Sequence, residues 1–136
     1  MPDRFQHFLD AQAPVIARVK EELRAGEKRS HWMWFIFPQI VGLGRSAMAQ
    51  RFALASLEEA RAYAAHPVLG PRLVDCTELV LAVESRSIGE IFGWPDDLKF
   101  RSSMTLFARA TGEAVFCRAL EKYFGGEEDA ETLKRI

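Results

Sequence analysis

At 136 residues, 49% of them apolar and 27% charged, the chain is long enough for one domain with a real hydrophobic core, and its composition excludes a disordered or fibrous class. A net charge of −1 gives neither nucleic acid nor a membrane surface a bulk attraction. No apolar run approaches the ~20 residues of a membrane span, and Asp3, Gln6 and Asp10 interrupt any basic-then-apolar leader pattern.

Phe5, Phe8, Leu9, Gln12, Ile16, Val19 and Leu23 fall near helical spacing, with Pro14 set to kink or split that helix and Gly26 as its stop. Residues 31–37 suit a helix or a strand, and Pro38 ends either. Gly42-Leu43-Gly44 reads as a turn, after which Ser46 caps a short helix through Phe52. Ser56-Leu57-Glu58-Glu59 has the capping-box pattern and opens a helix to about Ala65, broken by His66-Pro67. Pro71 suits the first turn of the next helix, where Leu69, Leu73, Cys76, Val80 and Val83 form one apolar stripe. Ser87-Ile88-Gly89-Glu90 is a second capping box before a short helix ending at Gly93. Pro95-Asp96-Asp97 reads as the first turn of a helix to about Ala110, with both acids at its positive end. Phe116, Leu120 and Tyr123 mark a further helix stopped by Gly125-Gly126, and Asp129 can cap a last one. Strand alternation is absent. The expectation is an all-α fold, one compact domain over residues 1–136 with six to eight short and medium helices.

Cys76 and Cys117 each lie in an apolar helical pattern, so both are expected to be buried free thiols of a cytoplasmic protein. Charge is unevenly spread. No acid lies between Glu27 and Glu58, while Lys28, Arg29, Arg45 and Arg51 do. Inside that stretch, His31-Trp32-Met33-Trp34-Phe35-Ile36-Phe37-Pro38-Gln39 packs four aromatics, a histidine and a glutamine into nine residues. Such a segment is costly to expose and should line a core or a pocket wall.

The run Lys28-Arg29-Ser30-His31-Trp32-Met33-Trp34-Phe35-Ile36-Phe37-Pro38-Gln39, followed by Gly42-Leu43-Gly44-Arg45-Ser46, is similar to the signature of the family called domain of unknown function 1810. Residues 65–73 (AHPVLGPRL), residues 97–107 (DLKFRSSMTLF) and the closing Phe124-Gly125-Gly126 with Asp129, Thr132 and Leu133 fit as well. The resemblance covers nearly the whole chain and implies an all-helical, mostly bacterial protein with no established activity to carry over. Members sometimes bear the label "calpastatin", but nothing in this sequence resembles a protease-inhibitor repeat.

The chemistry is therefore argued from the residues. Lys28, His31 and Gln39 can form one polar lining, with a point charge for phosphate, a titratable ring and an amide that both donates and accepts. Trp32 or Trp34 offers a face for a base or sugar. The plainer reading makes both tryptophans core, packs His31 as a neutral ring and turns Gln39 to backbone groups near Pro38. Lys99, Ser102 and Ser103 sit at i, i+3 and i+4, so an anion clasped by the lysine and two hydroxyls is one reading and a serine–lysine nucleophile another. Against both, Lys99 pairs with Asp96 and the serines bond backward to helix carbonyls. For Asp96 and Asp97, helix capping outweighs a general-base or metal role, and Asp129 and Glu127 read as solvated surface acids. No histidine or cysteine spacing suggests a metal, and Gly42-Leu43-Gly44 lacks the third glycine of a dinucleotide fingerprint.

The leading expectation is a pocket for a small anionic ligand, nucleotide- or phosphate-like, built from Lys28, His31, Trp32, Trp34, Gln39, Ser46, Lys99, Ser102 and Ser103. No cofactor or metal is implied. If chemistry occurs there, His31 serves as acid or base and Lys99 as anion clamp. The rival is an interaction module that binds a protein partner or a second copy of itself. A third reading, modified-nucleotide or RNA handling by residues 28–51, rests on a thin basic stretch.

Overall fold

In the computed structural model, which describes residues 3–136, Pro14 divides the first helix instead of kinking it. Its ring fills the place of an amide donor, so the chain runs α1 (Gln6–Gln12), a turn closed by Val15 N–H on the Gln12 carbonyl, then α2 (Ile16–Arg24). Gly26, at φ 72°, ends α2: its amide reaches the Leu23 carbonyl and that of Glu27 the Glu22 carbonyl, the paired closure that a left-handed residue permits. The aromatic segment forms one helical turn, α3 (Met33–Ile36), and not a strand. Beyond it, Val41 N–H donates to the Leu54 carbonyl and Leu54 N–H to the Gln39 carbonyl, a single Ile40–Leu54 bridge that encloses α4 (Ala47–Arg51), capped by the Ser46 hydroxyl.

Next come α5 (Leu57–Ala65) and α6 (Leu69–Ala82). Ser56 Oγ accepts from Glu59 N–H as expected, but the Glu59 carboxylate accepts from Ala55 N–H, one residue ahead of a true capping box. Between the two helices His66 Nδ1 accepts from the amides of Val68 and Leu69, so a ring nitrogen closes the start of α6. Then α7 (Ile88–Phe92) begins with the full Ser87–Glu90 box. The chain continues with α8 (Asp96–Thr111), α9 (Ala114–Phe124) and α10 (Ala130–Leu133), where left-handed Gly112 and Gly125 end α8 and α9. The protein is all-α, as the sequence implies. Ten helices occur among the described residues, more than six to eight, because Pro14 adds a break and α3 and α10 are single turns.

The longest helix, α8, is the hub and packs against α5, α7, α9 and α10. Its Phe100 meets Phe37 edge-on at 5.0 Å and Phe92 of α7 face to face at 5.0 Å, while Trp32 meets Phe92 at 6.2 Å. Each such buried ring contributes about 1.5–3 kcal/mol through desolvation, and each aromatic pair a further ~0.5–1.5 kcal/mol. Docking of the aromatic segment on Phe92 and Phe100 is what carries residues 28–37 to the start of α8.

One cysteine departs from expectation. Cys76 is buried, and burial pushes its thiol up to about 12. Cys117 is free but exposed. The inner stripe of α9 runs through Val115, Phe116, Ala119 and Leu120, which leaves position 117 on the outer side.

Candidate functional site

The site begins with a carboxylate inside the core. Glu22 lies on the inner stripe of α2 beside Val19 and Leu23. Its Oε1 accepts from the amides of Arg29 and Ser30 and from Trp32 Nε1, and its Oε2 accepts from Ser30 Oγ at 2.7 Å. Burial alone would raise this carboxyl. The donations from Ser30, Arg29 and Trp32 outweigh it and hold the group at about 2. Lys28 is pinned from the other side, its amide on the Ile91 carbonyl at 2.7 Å. The 28–32 segment is thus a fixed loop, tied to α2 at one edge and to α7 at the other.

From that loop the Lys28 ammonium reaches Asp96 Oδ2 at 2.9 Å, and from one turn along α8 the Lys99 ammonium reaches Asp96 Oδ1 at 3.3 Å. Each lysine also lies over an indole, Lys28 over Trp32 at 5.2 Å and Lys99 over Trp34 at 5.6 Å. The side chains of Lys28, Asp96 and Lys99 are 9%, 19% and 27% exposed. Two cations therefore share one anion in a half-buried setting, where screening by solvent is weak. Two motifs far apart in the sequence meet here.

The other expected residues divide. His31 is exposed and three residues from Lys28, and no hydrogen bond or ion pair engages its ring among the described residues; it does not pack as a core ring. Trp34 is half-buried at the edge of the cluster. Trp32 is fully buried, so it serves the core and has no face left for a ligand. Ser46 is occupied as the cap of α4. Gln39 is half-buried and engages Leu54 only through its backbone carbonyl. Ser102 Oγ bonds the Leu98 carbonyl and Asp129 Oδ2, both at 3.1 Å, so it fastens α10 to α8 and does not face Lys99. Ser103 is wholly buried with its hydroxyl unpartnered. Lys99 directs its ammonium to Asp96, and no hydrogen bond joins it to either serine among the described residues, so the serine–lysine pair is not assembled. Asp129 is not a solvated surface acid. It caps α10 through Thr132 N–H and also accepts from Thr132 Oγ1.

Two contributors escaped sequence reasoning. Glu22 carried a signal: an acid three residues after Val19 on an apolar stripe is misplaced unless it has donors to serve. Trp94, two residues before Asp96, is 80% exposed, a property no local pattern discloses. A surface cleft of about 290 Å³ lies beside Cys117 and the Arg109–Glu128 pair, and one of about 360 Å³ is lined by Arg18, Glu21, Glu22, Ala25 and Arg29, on the α2 side of the 28–32 loop. Neither cleft is lined by Lys28, Asp96 or Lys99. Among the described residues no three His, Cys, Asp or Glu side chains group to hold a metal ion, and no helix is long and apolar enough to cross a membrane.

A family model described as "Protein of unknown function (DUF1810)" matches residues 2–136. The chain belongs to the DUF1810 family. The same architecture occurs in the crystal structure of the conserved hypothetical protein Rv1873 from Mycobacterium tuberculosis, with 60% identity, a TM-score of 0.94, and coverage of 96% of this chain and 94% of that one. No curated protein matches the chain. Membership in DUF1810 thus fixes the fold and leaves the chemistry to the residues.

Proposed function

We propose that this DUF1810 protein binds a small anionic ligand, nucleotide- or phosphate-like, where Lys28, Asp96 and Lys99 converge. The observation that carries the reading is the unequal charge of the cluster: two ammonium groups share one carboxylate, with no second acid paired to either lysine among the described residues. Lysine is a compact point charge suited to phosphate oxygens, and its field is strengthened by partial burial. Trp34 supplies an apolar edge. Exposed His31, three residues along the chain from Lys28, would supply acid or base chemistry should the ligand be a substrate. A cytoplasmic setting accords with two free cysteines.

A second reading has one specific observation in its favour. Trp94 and Leu98 are 80% and 47% exposed at the start of α8, a pair that suits a protein partner or a second copy.

The test is a thermal-shift series with inorganic phosphate, sugar phosphates, nucleotides and ADP-ribose on the wild type and on Lys99→Ala. A ligand at a hundred times its Kd adds about 2.7 kcal/mol of stability. A shift that disappears in Lys99→Ala supports the site. No shift with any anion, together with concentration-dependent association in sedimentation, moves the function to the interaction module.

A further inference from the structure

We infer that Trp94 sets the specificity of this anion site, as the stacking platform for the aromatic base of a nucleotide whose phosphate lies on Lys28 and Lys99. The inference rests on the anion site proposed above and adds what the ligand must carry besides charge.

The three tryptophans differ in how their indoles are used. The Trp32 N–H is bound to Glu22 and its face is covered by Lys28; the Trp34 face is covered by Lys99. Trp94 has no ring partner, no cation over its face and no hydrogen bond to its N–H among the described residues, and it is the most exposed of the large apolar side chains there. An indole left in water forfeits the desolvation that the other two gain. Leu98, four residues further on, is a second exposed apolar side chain.

The place of Trp94 decides what that open face can do. Only Pro95 separates it from Asp96, so its Cα lies within ~7 Å of that of Asp96. Its backbone is held firmly on both sides. Gly93 N–H bonds the Gly89 carbonyl at 2.8 Å, closing α7, and Asp97 N–H bonds the Gly93 carbonyl at 2.9 Å, opening α8. Leu98 and Lys99 amides both reach the Pro95 carbonyl. These bonds fix the backbone that carries the ring, and an aromatic side chain with only two χ angles loses little freedom when a base stacks on it. Cationic groups beside an open aromatic face are the pairing that a nucleotide presents in reverse, a phosphate one ribose away from a base.

The experiment measures the affinity of three probes, inorganic phosphate, ribose 5-phosphate and adenosine 5′-monophosphate, for the wild type, Trp94→Ala, Trp94→Phe and Lys99→Ala. Circular dichroism checks that each variant is folded. In Trp94→Ala the nucleotide should bind roughly 5- to 100-fold more weakly, with phosphate and ribose 5-phosphate unchanged. Trp94→Phe should recover most of the loss. The nucleotide should quench wild-type tryptophan fluorescence and fail to do so in Trp94→Ala. Lys99→Ala should weaken all three probes. If Trp94→Ala binds the nucleotide as tightly as the wild type while Lys99→Ala still loses phosphate, the platform is overturned and the anion site stands. If Lys99→Ala changes nothing, the anion site falls and the platform falls with it. If Trp94→Ala instead abolishes a concentration-dependent dimer in sedimentation velocity, Trp94 is an interface anchor and the inference is overturned.

Discussion

The indole N–H of Trp32 donates to Glu22 Oε1 at 2.9 Å inside the core, so a buried tryptophan and a buried carboxylate fix each other. Three further donations, from Arg29 N–H, Ser30 N–H and Ser30 Oγ, complete the carboxylate's shell. Glu22→Gln keeps the volume but offers one acceptor oxygen where two serve four donors. It should cost about 2–4 kcal/mol in urea unfolding. The acid dependence has a definite sign. The folded carboxyl sits at about 2, below the ordinary 4.5, so its contribution is complete above ~4.5 and is lost as pH falls toward 2. Unfolding free energies measured between pH 6 and pH 2 should therefore fall more steeply for the wild type than for Glu22→Gln. Parallel curves would place the stabilisation elsewhere.

Most helices are legible in the sequence because their signals are local. Ser46, Ser56, Ser87 and Asp129 cap helices where the pattern puts them, and Gly26 and Gly125 end them. What escapes is pairing at a distance. Lys28 and Lys99 stand out as cations in two apolar motifs, but that Asp96 joins them depends on the docking of Phe37 and Trp32 against Phe100 and Phe92. Trp32 and Trp34 look alike in the chain, yet one is core and the other an edge, because a one-turn helix turns them to different sides. Ser102 and Ser103 look like a hydroxyl pair beside Lys99. The first instead faces α10, and the second is enclosed by the core.

Asp96 is the residue whose removal separates the structural role of the cluster from its affinity for anions. Asp96→Asn leaves two ammonium groups facing each other without their carboxylate. The fold should lose about 1–3 kcal/mol, since like charges that are mostly buried repel and Lys28 cannot turn easily to solvent. The same change raises the local charge, so phosphate should stabilise Asp96→Asn more than the wild type. The comparison is the melting temperature in phosphate against chloride at equal ionic strength. An equal shift in both proteins would show that phosphate does not sit between the lysines.

Gly70, on the first turn of α6, marks where α5 and α6 come closest. A Cβ built there would lie 2.1 Å from the Ala64 carbonyl oxygen, a backbone atom with no room to retreat. Gly70→Ala should lower stability by about 1–3 kcal/mol through overpacking alone, despite the better helix propensity of alanine. Chemical unfolding checks it. A neutral or stabilising result would mean that the turn at His66-Pro67 yields more readily than its hydrogen bonds suggest.

The two cysteines provide a direct readout of the packing. Cys117 is exposed on the outer side of α9, whereas Cys76 is buried in α6 with its thiol pushed up to about 12. Thiolate is the reactive form, so at pH 8 burial and the raised value act together to silence Cys76. Titration of the native protein with an aromatic disulfide reagent should release one equivalent of chromophore quickly, and a second only after denaturant is added. Cys117→Ser should abolish the fast phase and leave the second. Because Cys76 lies on the helix that packs against α2, Glu22→Gln should also raise the rate of its slow reaction in native buffer, by the factor its lost stability predicts if Cys76 reacts only from the unfolded state. A slow rate unchanged in Glu22→Gln would show instead that α6 opens on its own, without releasing the loop that carries Lys28.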